Sequence, residues 1–131
     1  MARLLPLMLT LVAVLCFAAC GGGGTHEVLA KESISTLREF GDKLAKVTDK
    51  ASAEAHVKDL DKLGAKIKDL HDSMKKLGTP LDKGAEAMTK NLEVEVNDVM
   101  AKINKELGRI AMNPELKSVI GPVLERMGKW R

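Results

Sequence analysis

Between Ala53 and Leu77 the apolar residues Val57, Leu60, Leu63, Ile67, Leu70, Met74 and Leu77 recur three and four positions apart. That spacing lines one face of an α-helix. Asp49 supplies a side chain suited to the N-cap, and Leu77-Gly78-Thr79-Pro80 supplies a stop, so the pattern predicts a helix over Lys50–Leu77. The same spacing runs through Ala85, Met88, Leu92, Val96, Val99, Ile103, Leu107 and Ile110 and predicts a further helix starting near Leu81. Leu92-Glu93-Val94-Glu95-Val96 alternates as a strand does, but helical periodicity flanks it on both sides and no turn residues bound it. A shorter stripe, Ile34, Leu37, Phe40, Leu44 and Val47, predicts a helix from about Glu27 to Val47, with Ser33, Ser35, Thr36 and Gly41 as poor helix formers inside it. Asn113-Pro114-Glu115 reads as a helix start, followed by Leu116, Val119, Ile120, Val123, Leu124 and Met127, with Gly121-Pro122 expected to kink or split the segment.

These elements predict an all-α fold, an antiparallel three-helix bundle with a short C-terminal helix. Ala87, Val94, Ala101 and Gly108, seven residues apart, form a second face of small residues that would let another helix approach closely and so implies a third packing partner. Acid-before-base pairs four residues apart, such as Glu39 with Lys43, Asp42 with Lys46, Glu54 with Lys58, Asp72 with Lys76 and Asp98 with Lys102, predict solvated helix faces supported by local ion pairs.

Composition agrees with helices and narrows the partners. The chain has no Tyr, two Phe and one Trp, too few aromatics for an all-β domain. Its 21 Lys and Arg against 18 Asp and Glu give a net charge of +3, a balance that argues against a nucleic-acid surface. The length of 131 residues allows one domain and leaves no room for a second.

The N-terminal stretch obeys a different logic. Arg3 precedes an apolar run from Leu4 to Ala19, then Cys20, then Gly21, Gly22, Gly23 and Gly24. The run is about 16 residues long and contains Pro6, whereas a membrane-spanning helix needs about 20. An ordinary secretory leader cut after Ala19 or near Gly22 fits the small residues too. Phe17-Ala18-Ala19-Cys20 resembles the lipobox of bacterial lipoprotein precursors, with Phe17 where that family prefers Leu. The resemblance implies a signal peptide over residues 1–19, cleavage before Cys20, lipidation of Cys20, and a tether over 20–24 leading to a domain over 25–131. Lipidation would also explain why one cysteine remains once Cys16 leaves with the leader, since exported chains rarely keep an odd thiol without a reason.

Catalytic chemistry has no recognisable footing in the sequence: there is no nucleophile elbow, phosphate loop or Cys-x-x-Cys, and His26-Glu27 lacks the second histidine of a zinc-protease helix. No catalytic residue, cofactor site or metal ligand is assigned. His26, His56 and His71, with Met74, Met88, Met100, Met112 and Met127, are the soft ligands that a copper site would draw on, but no two histidines stand three or four apart, and methionines on apolar stripes ordinarily fill core gaps.

The C-terminal Gly128-Lys129-Trp130-Arg131, taken with a lipidated start, is similar to the major murein-linked lipoprotein of enteric bacteria at the two ends only. The linking lysine of that family is its last residue, whereas Arg131 is last here. Trp130 suits either the bundle surface or a headgroup layer. The expectation is an exported, non-enzymatic structural or protein-interaction module, held to a bacterial membrane through Cys20 and facing the periplasm or exterior. Its partners would be the membrane and an envelope protein. The alternative is a periplasmic binder of a metal or a small apolar ligand, which would require the histidines and methionines to converge.

Overall fold

The computed structural model describes residues 24–77 and 86–128, with side chains described over 27–77 and 92–128. Four helices account for nearly all of it: α1 (Gly24–Ala45), α2 (Lys50–Leu77), α3 (Glu86–Met112) and α4 (Pro114–Gly128). No strand occurs among the described residues. The expected leader over 1–19, Cys20, Gly21 to Gly23, the expected stop at Gly78-Thr79-Pro80 and Trp130 lie outside the described residues. Gly24, expected in the tether, is the first residue of α1.

The start and stop chemistry sets the boundaries. At the α2 N-terminus, the Ser52 amide donates to Asp49 Oδ1 at 2.8 Å, and Ser52 Oγ accepts from the Asp49 amide at 3.0 Å. This is a reciprocal cap that satisfies two amides with no partner inside the helix. At the α4 N-terminus, Asn113 Oδ1 accepts from the amides of Glu115 at 3.0 Å and Leu116 at 3.3 Å, and Pro114 occupies the first helical position, where no N–H is needed. One residue, Asn113, therefore separates α3 from α4.

The apolar stripes become the core. Ile34, Leu37, Phe40, Leu44 and Val47 are buried, as are Leu60, Leu63, Ile67, Leu70 and Met74 on α2 and Leu92, Val96, Val99, Ile103, Leu107 and Ile110 on α3. Helix α4 adds Leu116, Ile120, Val123, Leu124 and Met127 and continues through Pro122, so of the expected kink or split the split does not occur. Gly121-Pro122 lies on its less buried side, where the Ser118 carbonyl left without an N–H partner belongs to an exposed residue.

Packing follows a closed circuit. Helix α1 touches α2 and α3, and α4 touches the same two, while no Cα of α2 lies within 8 Å of one in α3 among the described residues. Helix α4 is thus one of four packed elements rather than an appendage to three, an arrangement compatible with a bundle. Partners between α1 and α2 run in opposite order, Glu32 with Lys66 and Lys43 with Asp59, whereas those between α1 and α3 run in the same order, Arg38 with Glu95 and Asp42 with Lys102.

Two sequence expectations change here. Three of the four poor helix formers of α1, Ser33, Thr36 and Gly41, are buried, and only Ser35 is exposed. Small residues are needed there: a Cβ at Gly41 would stand 3.2 Å from the Ile103 side chain, so glycine lets α3 come close. The seven-residue face of α3 goes the other way. Val94, Ala101 and Gly108 are exposed, and nothing lies within 4 Å of a Cβ built on Gly108, so no element of this chain among the described residues packs on that face.

Candidate functional site

Polar groups in this molecule are spent mainly on helix ends and on the seams between helices. Among the described residues the two buried polar side chains are Ser33 and Thr36. Thr36 Oγ1 donates to the Glu32 carbonyl at 2.8 Å, one turn back, and Ser33 Oγ donates toward Met74 Sδ at 3.6 Å across the α1–α2 seam. Both hydroxyls are thereby satisfied locally, the second through a weak sulfur acceptor. Among the described residues neither hydroxyl is hydrogen-bonded to a base that would activate it.

The expected ion pairs give way to other partners, some on the same helix and several on a neighbouring one. Lys43 pairs with Asp59 at 2.7 Å instead of Glu39, Asp42 pairs with Lys102 instead of Lys46, and Asp72 pairs with Lys68 at 2.5 Å instead of Lys76. Glu54–Lys58 and Asp98–Lys102 do not form either, while Arg38–Glu95, Lys66–Glu32 and Arg126–Asp61 join different helices. The Lys102 ammonium bonded to Asp42 holds its carboxyl below the ordinary range, as Lys43 does for Asp59 and Lys68 for Asp72. Asp49 is lowered by the Ser52 amide and hydroxyl of its cap. In each case the charged form is favoured by a hydrogen bond, the opposite of the raised carboxyl that acid catalysis needs near neutral pH.

Arg109 is a polar residue that no spacing in the chain marks out. Its Nη2 donates to the Leu44 carbonyl at 3.1 Å, capping the end of α1 from α3, and its guanidinium pairs with Glu106 at 2.8 Å. Glu106, with 13% of its side chain exposed, is held largely out of water by that pairing. The partners are far apart in sequence, and no short motif announces such a contact.

The two histidines whose side chains are among the described residues do not converge. His56 and His71 both sit on α2, fifteen residues apart, which at 1.5 Å per residue is about 22 Å along the axis. His71 Nδ1 lies 3.5 Å from Asp72 Oδ1. Among the described residues no three His, Cys, Asp or Glu side chains group closely enough to hold a metal ion. Met74, Met100 and Met127 are buried in the core, Met112 stands exposed at the end of α3, and the side chains of Met88 and His26 lie outside the described residues. No helix among the described residues is long and apolar enough to cross a membrane. Cys20, the one modification site expected from the sequence, lies outside the described residues. Comparison with protein-family models, with curated proteins and with solved structures finds no match.

Proposed function

We propose that this chain is a lipid-anchored, non-enzymatic helical module of a bacterial cell envelope, which presents its surface to a protein partner. The observation that carries the reading is the run Phe17-Ala18-Ala19-Cys20, set immediately before a small helical domain. Helix α1 begins at Gly24, so the lipidated residue would stand four positions from the folded part, at most about 14 Å of extended chain. The domain would therefore stay within that reach of the headgroup layer. The opposite order of partners between α1 and α2, and the single residue that turns α3 into α4, support two antiparallel helix pairs, α1 with α2 and α3 with α4, packed together on that tether.

Mass spectrometry of the N-terminus of the protein purified from a bacterial host tests the anchor. The expected species begins at Cys20 with diacylglyceryl and acyl mass added, and Cys20→Ala abolishes the lipid mass and leaves an uncleaved or unanchored form. An unmodified terminus at Gly21 or beyond would refute the anchor.

A further inference from the structure

The outer face of α3 is a surface that the rest of the described molecule leaves uncovered. A helix turns by about 100° per residue, which sets Val94, Ala101, Gly108 and Met112 in a line opposite the buried row that includes Leu92, Val96, Ile103 and Ile110. Val94 is 61% and Met112 89% exposed, two of four large hydrophobic residues exposed among the described residues. The same geometry places Asp98 and Lys105 along one edge of the line and Asn97 and Asn104 along the other, all four exposed. Asp98 and Lys105, unlike Asp42, Asp59 and Lys102, have no ion-pair partner among the described residues.

We propose that this face binds the same face of a second copy, with the two α3 helices running in opposite directions about a two-fold axis at Ala101. The charges select this arrangement. Val94 and Gly108 stand equally far from Ala101 on either side, so the axis sets Val94 of each copy over Gly108 of the other, a side chain over a position with no Cβ. Asp98 of each copy then meets Lys105 of the other, twice, along one edge, and Asn97 meets Asn104, twice, along the other. A parallel pairing sets Gly108 against Gly108 and turns each charged edge toward the asparagines, leaving a gap and no opposite charges in contact. Symmetric, self-complementary contact of this kind is the ordinary form of a homodimer. A single helix pair buries little area, so the dimer belongs to the weak, exchanging class. The proposal goes beyond the anchor reading and does not depend on it.

The test uses the full chain purified in detergent, as an equal mixture of unlabelled and nitrogen-15-labelled protein, treated with a carbodiimide that joins carboxylate to amine without a spacer. The expected product is a crosslink between Asp98 and Lys105 in which one peptide is labelled and the other is not, an isotopic mixture that no single copy can give. Asp98→Lys removes the carboxylate that the crosslink needs, so its effect is read by light scattering, where like charges set together should weaken self-association roughly tenfold or more, and Asp98→Lys with Lys105→Asp should restore both the dimer and the crosslink. Gly108→Leu projects into open space in one copy, so it should keep the helical circular dichroism and lose the dimer. The same crosslink in a Cys20→Ser chain separates failure of the pairing from failure of the anchor. Crosslinks confined to single copies, a dimer indifferent to Asp98→Lys, or a chain that light scattering shows to be monomeric at hundreds of micromolar would each overturn the proposal.

Discussion

Single residues decide how close the helices come and at what pH they let go. A side chain at Gly41 meets Ile103, so Gly41→Leu must overpack the α1–α3 seam and should cost about 1–3 kcal/mol in urea unfolding, more than the helix propensity that leucine brings. The acids carry the pH dependence. Asp42, Asp49, Asp59 and Asp72 all have folded-state values below the ordinary 3.8, so each stabilises the fold above that value and loses its contribution as pH falls through the lowered one. Thermal stability should therefore hold from neutral pH down to about pH 4 and decline below it. Asp59→Asn should flatten that acid limb when melting temperature is followed by circular dichroism, because asparagine leaves one fewer carboxylate to protonate.

Elements are held by their ends as much as by their faces. Replacing Asn113 with alanine removes the acceptor for two α4 amides and should cost about 1 kcal/mol, read as a lower urea midpoint at unchanged slope. A stop codon at Asn113 is harsher. It deletes Leu116, Ile120, Val123, Leu124 and Met127 and uncovers the α2 and α3 faces that α4 joins, so the remaining chain should lose its cooperative melt. Much of this level was legible in the sequence. The α2 span and its cap at Asp49, the α4 start at Asn113 and the stripes of all four helices follow from local spacing and local hydrogen bonding. Local rules failed where the cause was tertiary. Gly41 and Ser33 looked like weak points until α3 and α2 were seen against them, and the seven-residue face of α3 looked like an internal seam although it faces away from the core. The lysines and acids were read as partners within one helix because sequence shows only that distance, while the structure sends Lys43 to Asp59 and Asp42 to Lys102. Of the candidate site, the sequence names Cys20, and no spacing foretells the reach of Arg109 to Leu44.

At the scale of the whole molecule, the stripes either close one core or they do not, and one comparison tells. Ile67 is 4% exposed, and Ile67→Asp would strand a charge in an apolar interior at a cost of several kcal/mol, enough to unfold a domain of ordinary stability. Ala65→Asp, two residues away on the exposed side, should leave the melting temperature within about 2 °C. The lengths of the helices then say something about motion. Helix α4 has 15 residues against 28 in α2, starts beside the end of α3, and reaches α2 at Asp61 through Arg126, so it lies along one half of the molecule. In that half four helices enclose Phe40, Leu44, Ile103 and Ile110, whereas toward the start of α1 the described core is enclosed by three. Amide hydrogens should accordingly exchange in a gradient, slowest near Leu44 and Ile110 and fastest near Ala30 and Met74, because the thinner half opens without the thicker one. Tension drawn through Gly24 would enter at that thinner half, so the molecule would yield by stages, peeling the start of α1 while the end near Asn113 stays shut.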